Sequence, residues 1–270
     1  MSYQPKIVYK YRTWTLPFHQ GVLKKNEFFL SSPKDTNDPF DCRIPIDYTL
    51  LDTTDKIEAF ARTVFTGESG QEYIRINGLD LKTEINKLTI LLLDPKGLAS
   101  YNGTEAKSLF EFQDTNYGIL SLSCKWNSIL MWSHYSENHK GYCVGLNEDK
   151  LKRSDLFGMG GVVNYPTSES FPRLDPLDGD LTNAFGETHT KAADWNYEAE
   201  YRLVQMFMET PTTEQRLRKV PDDYFEEIVI GLLTPEAHKK EIIELSKAKR
   251  IRIYQAIRVP GKFQLDRQEL

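Results

Sequence analysis

Apolar and polar positions along the chain fall into short runs whose period changes repeatedly between two and about three and a half. Residues 7–14 (IVYKYRTW) are dominated by β-branched and aromatic side chains and predict a first strand. A second short strand is predicted over 28–31, ended by Ser32-Pro33. Ile57, Phe60, Ala61 and Val64 recur at helical spacing, and helices are predicted over 54–65 and 79–93. The Gly-, Ser- and Asn-bearing stretches between and after them, GESG and SYNGTE, read as loops. Residues 117–124 (YGILSLSC) form a buried-strand pattern, and 126–137 a helix leading to Gly141 as a C-cap. Strands are predicted at 142–146 and 162–165, with Asn147 capping a helix over 148–156. Residues 167–186 are a Pro-, Ser- and Asp-rich loop, long enough to act as a lid.

The chain closes on a clearer unit. A strand over 227–233 is followed by Thr234 as N-cap, Pro235 at the first helical position, a helix to Lys249 and a strand over 251–257. Residues 262–265 extend the sheet; parallel pairing of the two strands would make a right-handed crossover. These elements predict an α+β fold. Its central sheet is mixed and mostly antiparallel, open to a split into two halves across a pocket, with helices at 54–65, 79–93, 126–137 and 235–249 on its faces. With no repeat, linker or composition break, residues 1–270 are expected to form a single domain.

Charge narrows the partners. Thirty-four basic against 39 acidic residues give a formal net charge of -5, which argues against a protein that holds nucleic acid mainly by neutralising phosphates. The basic run from Lys247 to Arg252 reads as a solvated helix end, so any contact with nucleic acid would be local. Cys42, Cys124 and Cys143 form no CxxC, and their odd number suits a reducing compartment. The opening residues have no apolar leader core, and no run approaches the roughly 20 apolar residues of a membrane helix. A cytoplasmic protein without a membrane partner is expected.

The richest chemical signal is Trp195-Asn196-Tyr197-Glu198-Ala199-Glu200-Tyr201-Arg202. If this stretch is one strand, Glu198, Glu200 and Arg202 form a polar row on one face, as an ion-pair ladder or around a ligand. Met131-Trp132-Ser133-His134-Tyr135, closed by His139-Lys140-Gly141, reads as a pocket wall or as core aromatics. His134 is a candidate proton carrier or a structural residue. Asn37-Asp38-Pro39-Phe40-Asp41 is dense in oxygens, but Pro39 and the lack of glycine spoil a calcium loop. Its side chains are expected to satisfy turn amides, with Asn37 or Asp41 at a ligand as the lesser option. His134 and His139 lie off a common helical face, and no HExxH or CxxC occurs, so no metal site is assigned.

Five segments in order carry a resemblance: Tyr9-Lys10-Tyr11-Arg12, Asn37–Asp41, Ser121-Leu122-Ser123, Leu130–Tyr135 with His139–Cys143, and Lys191 with Trp195–Arg202. Together they resemble the bacterial domain-of-unknown-function family 2971, from about Tyr9 to Ile257. That family brings no activity with it.

Three of the segments also resemble the ADP-ribosyltransferase pattern of a first-strand basic residue, a middle serine motif and a late glutamate. The resemblance implies Arg12, Ser123, Glu198 and Glu200 as catalytic residues and NAD as substrate. Glu200 would stabilise positive charge on the ribose, and Glu198 would act as base on the acceptor. Arg12 would hold the pyrophosphate or ribose. Tyr11, Ser121, Trp132, His134, Tyr135 and Arg202 would line the nucleotide site, with an aromatic stacked on nicotinamide. The middle motif departs from the pattern (Ser-Leu-Ser in place of Ser-Thr-Ser), and Ser31-Ser32 is an equally placed rival. The implied activity is ADP-ribose transfer to a macromolecule, or NAD hydrolysis, of the kind that suits a toxin or an anti-phage effector. Two alternatives stay open: a metal-dependent nuclease using Glu198, Glu200 and Lys191, and a non-catalytic sensor of a nucleotide-like ligand.

Overall fold

A computed structural model describes residues 5–270. They fall into two compact units. The residues up to Asp41, with Asp114–Thr167 and His189–Leu270, form one; Cys42–Gln113 and Ser168–Thr188 form the other.

The larger unit holds ten strands among the described residues: β1 (Ile7–Arg12), β2 (Glu27–Phe29), β3 (Tyr117–Ser123), β4 (Tyr142–Asn147), β5 (Met159–Val162), β6 (Glu200–Met206), β7 (Leu217–Lys219), β8 (Phe225–Ile230), β9 (Arg252–Arg258) and β10 (Leu265–Glu269). Eight of them form one sheet in the order β10-β9-β8-β4-β1-β3-β6-β5, and β2 pairs with β7 apart from it. Every pair in the large sheet is antiparallel except β8–β9, which run parallel across the helix Glu236–Ala248, the pairing that the sequence had left open for the closing unit. The α+β fold with a mixed, mostly antiparallel sheet is therefore the observed one. One face buries Val8, Leu120, Val144, Ile228 and Ile253 beside Leu23 and Ile242 of the helices Pro17–Lys24 and Glu236–Ala248. The other buries Tyr9, Tyr11, Cys143 and Val229 against Met131 and Trp132 of the helix Ile129–Tyr135.

The sheet forks at its centre. β1 pairs with β4 at six successive positions, but with β3 only at Tyr9↔Ser123. Beyond that point the place beside β3 is taken by Ser31, which exchanges backbone hydrogen bonds with Ile119 (2.9 and 2.8 Å). Lys10, Tyr11 and Arg12 therefore lose their partner strand on one side, and a wedge opens between β1 and β3.

Several boundaries differ from those read in the sequence. The fifth strand lies at Met159–Val162, three residues before the stretch expected, because its pairing with β6 registers Val162 on Tyr201. The helix before Gly141 stops at Tyr135, and Glu137, Asn138 and His139 then take positive φ (54°, 55° and 68°). Gly141 is no C-cap: a Cβ there would lie 2.0 Å from the Arg12 carbonyl oxygen, so glycine allows β4 to close on β1. The N-cap of the last helix is Pro235, and the Thr234 hydroxyl donates to Gly141 O and Gly231 O instead.

The smaller unit is helical. Thr53 and Asp80 cap the helices Thr54–Thr66 and Leu81–Leu93 through Lys56 N and Thr83 N, and Ile57, Phe60, Ala61, Leu88 and Leu92 form their core. The stretches read as loops are helices Glu68–Asn77 and Pro95–Asn116, and the supposed lid contains the helix Asp180–Thr188. Gly70 misled because glycine costs helix stability in isolation. Here a Cβ would meet the Val64 carbonyl oxygen at 2.0 Å, so close packing of successive helices demands it.

Candidate active site

The fork between β1 and β3 is a cavity of about 300 Å³. Lys10, Tyr11 and Arg12 of β1, Ser121 of β3, the segment from Asp35 to Asn37, and Lys191, Glu198 and Glu200 are among its walls.

The β1 wall is basic and short of partners. Among the described residues no carboxylate forms an ion pair with Lys10 or Arg12. The Arg12 Nε is buried without a hydrogen-bond partner. Lys10 donates to the carbonyl of Ser121, which the fork has released from strand pairing. Burial lowers the Arg12 guanidinium to about 10 and, reinforced by Arg12, pushes the Lys10 ammonium well below its usual range. His19 feels the same field: burial, Arg12 and Lys10 bring it down to about 4. Half-buried cations without ion-pair partners are costly, and such a wall suits an anion.

The opposite wall is a saturated ion-pair network. Arg202 donates to both oxygens of Asp41 (2.7 Å each) and to both oxygens of Glu200 (2.7 and 2.9 Å). Lys191 Nζ lies 2.6 Å from Glu198, 3.4 Å from Glu200 and 3.8 Å from Asp41, and 4.5 Å from the centre of the Trp195 ring. Tyr135 donates to the other oxygen of Glu198 at 2.5 Å, and Asn37 donates to the Tyr135 hydroxyl at 3.2 Å. Burial alone would raise the Glu200 carboxyl, but Arg202, Lys191 and a hydrogen bond from Ser121 outweigh it and hold it at about 2. The three carboxylates in turn keep Lys191 raised against its own burial.

Glu198 reaches this network by a route the sequence conceals. It is not on the strand: it ends a 3-10 turn, Ala193–Glu198, and Ala199 follows in the left-handed region (φ 43°, ψ 53°) before β6 begins at Glu200. The polar row on one continuous strand is thus Glu200 and Arg202 alone. The Ala199 turn, anchored by Cys124 N to Ala199 O at 2.7 Å, brings Glu198 to Lys191.

Of the residues singled out from the sequence, Arg12, Tyr11, Ser121, Tyr135, Glu198 and Glu200 line one cavity. Arg202 sits behind it, 1% exposed, as the group that orients Glu200. Ser123 is buried off the cavity, donating to Glu198 O at 2.6 Å and accepting from Lys125 N, which is a structural role. Trp132 is a core aromatic, fully buried, with its indole N–H on Trp126 O and its ring 5.1 Å from Tyr11; it cannot stack on a ligand. His134 is exposed and touches Tyr197 rather than the cavity. In the acidic turn, Asp38 does satisfy Phe40 N (2.9 Å), whereas Asp41 crosses to Arg202. Sequence reasoning gave no site role to Lys10, although its i, i+2 spacing to Arg12 on a strand was a usable signal.

With both β1 cations charged, that wall carries two positive charges. The opposite wall sets Asp41, Glu198 and Glu200 against Lys191 and Arg202, a net of one negative charge. The cavity is electrically polar from end to end.

Residues 131–203 match the model of the DUF2971 family, described as a protein of unknown function. The resemblance read from the motifs therefore holds over that segment, which carries Tyr135, Lys191, Glu198, Glu200 and Arg202. The β1 cations, Asp41 and Ser121 lie outside it. No curated protein and no solved structure matches the chain. No helix among the described residues is long and apolar enough to cross a membrane.

Proposed function

We propose that the cavity binds NAD and breaks its nicotinamide–ribose bond, passing ADP-ribose to an acceptor or to water. The segregation of charge is the observation that supports this reading most. NAD has a doubly anionic pyrophosphate at its middle and a cationic nicotinamide ring at one end. The first suits Lys10 and Arg12, the second the carboxylate wall. As the bond breaks, its electron pair leaves with the nicotinamide nitrogen and positive charge grows on the ribose. Glu200, ionised and locked by Arg202, is a preorganised counter-charge that needs no rearrangement. Glu198 is the base that takes the proton from the attacking hydroxyl or water, with Lys191 and Tyr135 fixing its two oxygens. Three cysteines that form no disulfide suit a cytoplasmic setting.

One observation favours a second reading, a non-catalytic nucleotide sensor: all four oxygens of Glu198 and Glu200 already accept hydrogen bonds from the protein. One experiment separates the two. Purified protein is incubated with NAD, with and without cell lysate as acceptor source, and free nicotinamide is followed by chromatography. The proposal expects release that falls by about 100-fold or more in Glu200→Gln, the loss expected for a main electrostatic stabiliser. Stoichiometric NAD binding with no release under either condition would favour the sensor.

A further inference from the structure

The helical unit contains a second cavity, of about 210 Å³, lined by Ile46, Tyr48, Glu105, Ala106, Leu109 and Phe112. Its walls are aliphatic and aromatic, apart from one carboxylate and one phenol. Among the described residues Glu105 has no ion-pair partner, and burial raises its carboxyl. Tyr48 feels a second carboxylate besides Glu105: that of Glu187, 4% exposed, which accepts a hydrogen bond from Gln113 Nε2 at 2.8 Å. Burial, partly offset by that bond, brings Glu187 to about 7. The Gln113 Oε1 and Asn183 Oδ1 atoms are buried without donors, and Asn183 shares a face of the helix Asp180–Thr188 with Glu187.

Within the cavity, a half-buried carboxylate without an ion-pair partner stands among aliphatic and aromatic walls, and what it lacks is a positively charged donor. We infer that this cavity is a binding site for a small organic ammonium, with its charged head toward Glu105 and its carbon chain against Tyr48, Leu109 and Phe112. Aromatic rims and a single acid are the chemistry that selects an alkylated cation over a hydrated metal ion. The site lies wholly within the helical unit and is independent of the NAD reading.

Calorimetric titration of the full chain at pH 7.5 with n-butylammonium and 1,4-diaminobutane, with n-butanol as uncharged probe, tests it. At least one ammonium should bind at one per chain while butanol binds at least tenfold more weakly. Glu105→Gln should weaken the ammonium by tenfold or more, and Leu109→Trp should block it. Glu198→Gln, in the other unit, should leave it unchanged. Glu105→Gln removes a half-buried charge that has no ion-pair partner, so it is expected to fold; circular dichroism before titration checks this. No saturable ammonium binding, equal binding of butanol, or full affinity in folded Glu105→Gln would each overturn the inference.

Discussion

Arg202 grips both oxygens of Asp41 at 2.7 Å, joining the strand β6 to an acidic turn 161 residues earlier in the chain. The same guanidinium holds Glu200, so one planar fork serves two carboxylates that are themselves buried. Removing it leaves both charges to Lys191, at 3.4 Å from Glu200 and 3.8 Å from Asp41, which already pairs with Glu198. Arg202→Met is expected to lower unfolding stability by about 3–5 kcal/mol, and Arg202→Lys to recover only part of that loss, because an ammonium cannot reproduce the fork. Urea denaturation of the three proteins measures it; full recovery by lysine would show that charge alone matters.

Ala199 holds a left-handed backbone conformation that an L side chain adopts only at a cost, and the turn it makes is what brings Glu198 to Lys191. Glycine has no such cost at positive φ. Ala199→Gly is therefore expected to leave stability unchanged or raise it by up to about 1 kcal/mol, and Ala199→Val to lower it by more than 1 kcal/mol. Thermal unfolding midpoints rank the three.

Glu187 predicts a pH dependence opposite to that of an ordinary ion-paired acid. Its folded value, about 7, lies above the usual glutamate value of 4.5, so the native state holds the proton more tightly than the unfolded chain. Stability should fall as pH rises from about 4.5 to about 7, by on the order of 3 kcal/mol from this group. Glu187→Gln should remove that slope, making the variant more stable than the parent at pH 8 but not at pH 4.5. Glu200 has the reverse sign. Its contribution is full above about pH 4.5 and is lost as pH falls through about 2. Denaturant midpoints across pH 2–8 separate the two windows.

Much of the fold was legible because buried strands announce themselves. β1 and β8 are rich in β-branched and aromatic residues, β3, β4 and β9 carry recurrent apolar ones, and the crossover between β8 and β9 has a proline at its helix start. The helices at Glu68–Asn77 and Pro95–Asn116 were hidden by Gly70, Gly97, Gly103, Ser100 and Asn102. Local propensity reads such residues as loop, and tertiary packing overrides it. Asp94-Pro95 was the missed start signal, with Asp94 accepting from Gly97 N at 2.8 Å. Within the site, Glu198, Glu200 and Arg202 were visible because they crowd into eight residues. Asp41 was visible only as a lesser option for a ligand contact; its pairing with Arg202 was not legible, since a carboxylate that crosses the fold looks locally like Asp38, which caps its own turn. Trp132 and Ser123 were over-read: an aromatic or a hydroxyl in a motif looks the same whether it faces a cavity or the core.

Lys10 and Arg12 are the proposed anion site at the fork, and their affinity for the pyrophosphate is its most direct test. ADP-ribose is titrated calorimetrically into the wild type, Lys10→Met, Arg12→Met and, as a control, Glu105→Gln, in two buffers of different ionisation enthalpy. Each β1 variant should bind about 10- to 100-fold more weakly, the worth of a charge-assisted hydrogen bond, with no loss of thermal stability. The wild type should take up protons on binding, because an anion restores the ammonium that burial and Arg12 suppress in Lys10. Unchanged affinity in both variants, or affinity lost only in step with stability, would contradict the account.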